Sequence, residues 1–444
     1  MILIKNAHIV NEGETFTGSV LIENDIISKI IRKGKPVPHC DTCSVIDAKG
    51  LTLIPGVIDT HVHFRDPGFP EKADFETESR AAVAGGVTSV LDMPNTKPQT
   101  TSVEAWQGKM DMAAAKSYCN YGFFIGATND NLEELKSADY SKICGVKLFL
   151  GSSTGGMLVS DGSTLEQIFR DVPALIMVHA EDEAVIAKNK EHYLKLYGDK
   201  VPIECHPAVR SVEACYKASS YAVGLAKKYG TRLHVAHVST EKELELFANK
   251  PITDKCITAE TCPHYLYFCD LDYKRLGARI KCNPAIKSLA DKKSLLRELS
   301  SNKIDTIGTD HAPHLLSDKE GYLFSAASGM PSVQFSLQSM INLVDKGFLT
   351  IENLVEKMCH NPAQIFRIKD RGFIREGYKA DLTLINRDGK EVVNSLKVLS
   401  KCGWTPYEDM EFHSSVAMTI VNGQVVYDGS DFITRCPQPL TYGS

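Results

Sequence analysis

The chain has 444 residues, and its 50 Lys+Arg against 55 Asp+Glu give a formal net charge of −5. That weakly acidic balance offers no basic patch for nucleic acid or an anionic membrane surface, and 43% hydrophobic with 24% charged residues excludes disordered and fibrous classes. No run approaches the roughly 18 uninterrupted apolar residues of a membrane span, the first residues lack an export-signal plan, and 13 cysteines form no paired framework, so a reduced, cytoplasmic protein is expected.

Short, β-branched strands open the chain at Ile2–Val10, Ser19–Ile22 and Ile26–Ile31, separated by Gly, Asn and Asp. Cys40 and Cys43 then form a lone CxxC, which lacks the second half of a strong zinc signature. From about Leu51 the texture changes to apolar runs alternating with helical patterns. The runs are Leu53–Val62, Val87–Met93, Tyr121–Ala127, Gly145–Leu150, Ala174–Val178, Arg232–Val238, Cys256–Thr261 and Asp305–Thr309. Helical patterns fall at Phe75–Ala84, Val103–Ser117, Val212–Tyr229, Glu241–Ala248 and Ala290–Leu299, and again at Val333–Leu343 and Ile351–Met358. Eight such runs predict a closed (β/α)8 barrel, with an open doubly wound sheet as the alternative. Strand texture returns at Ala380–Ile385, Ser415–Val421 and Val425–Tyr427, where Asn422-Gly423 signals a type I′ hairpin. The expected fold is therefore α/β: a TIM barrel over residues 55–370, beside a small β-sandwich assembled from residues 1–54 and 371–444.

Chemistry concentrates at the strand ends. In Asp59-Thr60-His61-Val62-His63 the two histidines are two residues apart, so they share one face of the strand, and at the C-terminal mouth of a barrel that face is the site. Two imidazoles so placed suit a borderline metal such as Zn²⁺. Later strand ends supply His179, His234 or His237, and Asp310, with His311 and His314 just beyond. His234 and His237 are three apart, so alternation puts them on opposite faces of the strand, and His237, nearer the strand's end, is the preferred one. Lys147 sits inside an apolar run. As an ammonium it cannot ligate a metal, but as its CO₂ adduct, a carbamate, it becomes an anionic oxygen ligand able to bridge two. The other reading of Lys147 is a buried ion pair.

Together these segments resemble the amidohydrolase superfamily and, within it, the dihydroorotase family, over nearly the whole chain. The anchors are Pro55-Gly56-Val57-Ile58-Asp59-Thr60-His61-Val62-His63-Phe64-Arg65-Asp66-Pro67-Gly68, Asp92-Met93-Pro94-Asn95-Thr96, His179-Ala180-Glu181-Asp182, Ala236-His237-Val238-Ser239-Thr240, Thr309-Asp310-His311-Ala312-Pro313-His314 and Gly377-Tyr378-Lys379-Ala380-Asp381-Leu382. The resemblance implies two Zn²⁺ per chain. His61, His63 and Asp310 would hold one, His179 and His237 the other, and carbamylated Lys147 would bridge them. Many bacterial relatives bridge instead through an aspartate in Ser-Asp-Asp-Gly. Only Ser160-Asp161-Gly162 stands here, which leaves Asp161 as the alternative bridge.

For substrate, the resemblance implies that Arg65 and Asn95 hold a carboxylate, with His314 as a further donor. Asn283 would contact the ring, and Ser328-Gly329 would form a capping loop. The implied reaction is the reversible cyclisation of N-carbamoyl-L-aspartate to (S)-dihydroorotate in pyrimidine biosynthesis, by metal-bound hydroxide with Asp310 as proton shuttle. Allantoinase or dihydropyrimidinase/hydantoinase activity is the nearest alternative, and a non-catalytic scaffold the more distant one. The expected partner is a small molecule, with neither nucleic acid nor membrane, and a homodimer is compatible with the resemblance.

Overall fold

The computed structural model describes residues 1–36, 43–151 and 157–443. Eight parallel strands make the barrel: Val57–Val62, Val87–Asp92, Asn120–Phe123 continued by Ile125–Gly126, Val146–Phe149, Ile176–His179, Leu233–Val235, Ile257–Thr261 and Thr306–Ile307. The ring closes where Val62 bridges His311 and the His63 N–H donates to the His311 carbonyl at 2.8 Å. Closure excludes the doubly wound alternative. Most of these strands are buried along their whole length, so they read as continuous apolar runs rather than as alternation.

The intervening helices start at capping residues. Asp74 caps Phe75–Ala84 in a capping box with Thr77, and Ser211 caps Val212–Tyr229, which ends at Gly230 with φ 71°. The helix expected at Glu241–Ala248 is only a short 3₁₀ stretch, Lys242–Leu246. Exposed Asn249-Lys250 and then Pro251 leave it no buried face or backbone donor to grow along.

The first apolar run also differs from expectation, because it is two strands. Thr52–Pro55 joins the terminal sheet and Val57–Val62 opens the barrel. Gly56 makes the break. A Cβ there would lie 2.1 Å from Thr88 Oγ1, and its N–H donates to the Asp381 carbonyl of the C-terminal segment. The two ends of the chain meet where Leu382–Asn386 runs antiparallel to Thr52–Pro55. The resulting sheet runs from the C-terminal hairpin to Ile26–Arg32. Its core includes Ile4, Ile9, Val20, Leu53, Leu382 and Ile420. Asn422 and Gly423, with φ of 47° and 74°, form the predicted hairpin turn.

Of the lone CxxC, Cys40 lies outside the described residues. Cys43 is disulfide-bonded, against the expectation of a fully reduced chain, whose sequence spacing alone gave no paired framework. The other described cysteines are free. Among the described residues no helix is long and apolar enough to cross a membrane.

Candidate metal centre

His61 and His63 end the first strand and Asp310 follows the last, so barrel closure brings them together. Their ligand atoms all lie within 4.8 Å of one another. Asp310 Oδ1 is 3.0 Å from His63 Nε2 and 3.4 Å from His61 Nε2. The far nitrogens are spoken for: His61 Nδ1 lies 2.8 Å from Glu260 Oε1 and His63 Nδ1 2.8 Å from Asn95 Oδ1. Both partners are acceptors, so each Nδ1 carries the proton and each Nε2 turns a lone pair towards Asp310. A buried carboxylate facing two lone pairs is a cation site by its chemistry.

The register of this triad depends on Asp59. Its carboxylate accepts from the Thr309 N–H at 3.0 Å, the Thr309 hydroxyl at 2.6 Å and the His61 N–H at 3.2 Å, tying the first strand to the last just before Asp310. Burial pushes Asp59 up to about 7. Arg65, His237 and Asp310 all sit at positive φ (66°, 42° and 47°), a left-handed conformation that costs non-glycine residues about 1–3 kcal/mol each.

A second group adjoins the first. His61 and His237 ring centroids are 5.3 Å apart, and those of His179 and His237 4.8 Å. His179 Nε2 lies 3.1 Å from Glu181 Oε2, which places its proton there and its lone pair on Nδ1, 3.0 Å from His237 Nε2. Burial lowers both histidines, so both are neutral at pH 7. A cation between the facing nitrogens fits that arrangement. Lys147 also lines this cavity, with its Nζ buried and without a hydrogen-bond partner. Burial lowers its ammonium to about 8.

Two expectations need correction. His234 does not turn away from the barrel interior: its Nε2 lies 3.7 Å from Glu260 Oε2 and 3.3 Å from Thr306 Oγ1, beneath the first group. Alternation misled because the strand ends at Val235 and the backbone turns left-handed at His237. Asp161 is no bridge. It is exposed, and its carboxylate caps the helix Gly162–Asp171 by accepting from the Thr164 N–H at 2.6 Å.

The cavity's other side is cationic. Arg65 is 4% exposed, and among the described residues no carboxylate pairs with it. Its Nε donates to the Pro313 carbonyl at 3.0 Å and its Nη2 lies 3.0 Å from His314 Nε2. Burial lowers Arg65 to about 10, which leaves it fully charged at pH 7. Asn95, Asn283, Ser328 and Gly329 line the same cavity, whereas His314 stands behind Arg65. His314 Nε2 also lies 3.0 Å from the Ser328 carbonyl. Two buried lysines hold that loop from behind. Lys319 Nζ donates to the carbonyls of Ala327, Gly329 and Lys281 at 2.7, 2.6 and 3.0 Å, and Lys281 Nζ to that of Ala326.

Sequence reasoning missed Glu260, Asp59 and the lysine pair. Glu260 did carry a signal, an acid inside the apolar run Cys256–Thr261, where a lone carboxylate would not be buried unpaired. Lys319 carried none, since it lies in an irregular polar stretch.

Comparison with known proteins agrees with this geometry. The amidohydrolase family model matches residues 52–426. Dihydroorotase from Methanosphaera stadtmanae is 33% identical over 416 residues, covering 93% of this chain and 94% of that protein. Dihydroorotase from Thermococcus kodakarensis is 32% identical over 435 residues, covering 97% and 96%. Among solved structures, L-hydantoinase (dihydropyrimidinase) from Arthrobacter aurescens superposes with a TM-score of 0.93 at 29% identity, over 99% of both chains. D-hydantoinase (dihydropyrimidinase) from Thermus sp. shares the fold, with a TM-score of 0.90 at 22% identity over 100% of this chain and 99% of that one. With its His-His-Asp cluster at the mouth of a closed barrel and a family match across most of its length, this chain belongs to the amidohydrolase family.

Proposed function

We propose that this protein is a dihydroorotase, interconverting dihydroorotate and N-carbamoyl-aspartate in the cytoplasm. The observation that carries the reading is Arg65, a buried guanidinium on the wall of the metal cavity with no carboxylate hydrogen-bonded to it among the described residues. A buried charge is costly unless paired, so this guanidinium calls for an anionic ligand, and its planar fork suits a carboxylate. Dihydroorotate has that carboxylate; hydantoin, dihydrouracil and allantoin do not. The dihydroorotase relatives at 32–33% identity support the same choice.

Divalent metals, read here as two Zn²⁺ held by His61, His63, Asp310, His179 and His237, would supply acidity to water and polarise the amide carbonyl. The residues of the chain do the rest. Lys147, buried and lacking a partner, fits the role of a carbamate: its neutral amine adds CO₂ and releases a proton, and the new oxygens meet the cavity. Arg65 grips the substrate carboxylate and fixes which ring amide faces the metal ligands. Asp310 takes the proton of the attacking water and returns it to the departing ring nitrogen. Asn95 orients His63 through Oδ1, and His314 orients Arg65.

The L-hydantoinase likeness favours a second reading, opening of a cyclic amide without a carboxylate. One experiment separates them: the zinc-loaded protein is assayed with dihydroorotate, carbamoyl aspartate, hydantoin, dihydrouracil and allantoin. Turnover of dihydroorotate and carbamoyl aspartate is expected. Turnover of only the carboxylate-free rings would overturn the proposal, and zinc binding with no turnover of any would point to a scaffold.

A further inference from the structure

Asn283 lines the metal cavity, yet its Oδ1 is buried and has no hydrogen-bond partner. Behind it lies His206, 2% exposed, whose Nε2 is also buried without a partner. The Asn283 amide lies within reach of the His206 ring. An unpaired buried acceptor beside an unpaired buried nitrogen is resolved if that nitrogen carries a proton. The neighbouring hydrogen bonds place one there. The Ile286 N–H donates to the Tyr273 hydroxyl at 3.2 Å, and that hydroxyl lies 3.1 Å from His206 Nδ1. The Tyr273 O–H has no other acceptor among the described residues, so it donates to Nδ1 and the imidazole proton stands on Nε2. Burial first, then Lys281, Arg210 and Lys287 around the ring, disfavour a second proton.

We infer that His206 is a positioning residue for the reaction: its Nε2–H donates to Asn283 Oδ1 and thereby turns the Asn283 amide N–H group into the cavity, where it selects a substrate carbonyl oxygen. The inference rests on the proposed function only for the identity of that carbonyl, as part of the dihydroorotate ring. It makes the wall at Asn283 a donor by construction, because rotation of the amide would set its N–H against the His206 N–H.

The test uses the zinc-loaded protein. Dihydroorotate kinetics are compared for wild type, His206→Leu, His206→Gln and Asn283→Ala, and for the double variant that combines His206→Leu with Asn283→Ala. Leaving a buried acceptor unpaired predicts that His206→Leu raises KM about tenfold with kcat within about twofold. His206→Gln, which keeps a donor near Nε2, restores KM to within about threefold. In the Asn283→Ala background the His206→Leu change has no further effect on KM. An equal KM rise in that background would overturn the inference. ¹⁵N-histidine spectra of the wild type, with His206 assigned through His206→Gln, give a readout independent of turnover and of whether His206→Leu folds. The Nε2–H tautomer is expected; the Nδ1–H tautomer would refute the relay. Absence of dihydroorotate turnover in the wild type, with the Nε2–H tautomer present, would instead count against the proposed substrate alone.

Discussion

Replacing Arg65 with methionine isolates the carboxylate-binding term. The guanidinium is 4% exposed, its Nε is committed to the Pro313 carbonyl, and no carboxylate of the described residues pairs with it. A bound carboxylate accepting two charge-assisted hydrogen bonds gains about 1.5–3 kcal/mol from each, and Arg65→Met removes both. The smallest expected loss is about 3 kcal/mol, or roughly 10²-fold in kcat/KM for dihydroorotate. Arg65→Lys restores the charge but not the fork, and recovers only part of that loss. Stability should hardly move. The variant forfeits the hydrogen bonds to the Pro313 carbonyl and to His314 Nε2, about 1 kcal/mol each, but also removes a buried charge with no bonded carboxylate, so Tm should stay within about 4 °C. The assay is steady-state kcat/KM for dihydroorotate beside dihydrouracil, with zinc content and thermal melting as controls. A similar fall for both substrates at unchanged zinc content would refute the reasoning, because a ring without a carboxylate has nothing for Arg65 to hold.

Asp310→Asn keeps an oxygen beside His63 but removes the proton acceptor. Metal analysis should show zinc largely retained while turnover falls roughly 10²–10⁴-fold, and wild-type-like turnover would sink the shuttle assignment. For Lys147, burial lowers the ammonium to about 8. Only the neutral amine adds CO₂, so at fixed dissolved CO₂ the reactivation of metal-stripped, decarbamylated protein should rise about tenfold per pH unit below 8 and level off above it. A rate independent of pH between about 6 and 8 would rule out carbamate formation as the limiting step.

Most of the barrel was legible because parallel strands buried on both faces leave continuous apolar runs, and all eight were there to be counted. The place where the first run breaks was not legible. Gly56 reads as one more small residue until Thr88 and Asp381 are seen pressing on it from other segments. The same limit applies at the site. His61 and His63 could be paired from their spacing, since two residues apart on a strand is a local fact. His237 could not be placed by counting from His234, because a left-handed residue beyond the strand end resets the alternation. Glu260, Asp59 and Lys319 act on residues about 200, 250 and 40 positions away, and local pattern carries no record of such partners.

The two lysines behind Ala326–Gly329 bear on how a substrate could enter. Lys281 and Lys319 are 7% and 5% exposed, and their Nζ groups find backbone carbonyls of the loop as acceptors. Swinging the loop outward would strip two buried Nζ groups of those acceptors while they remain shut away from water, at a cost of several kcal/mol. The Ser328 side of the cavity is therefore an anvil. Any closure over a bound ring has to come from the opposite rim, and the ring is pressed against a surface whose shape is already set before it arrives.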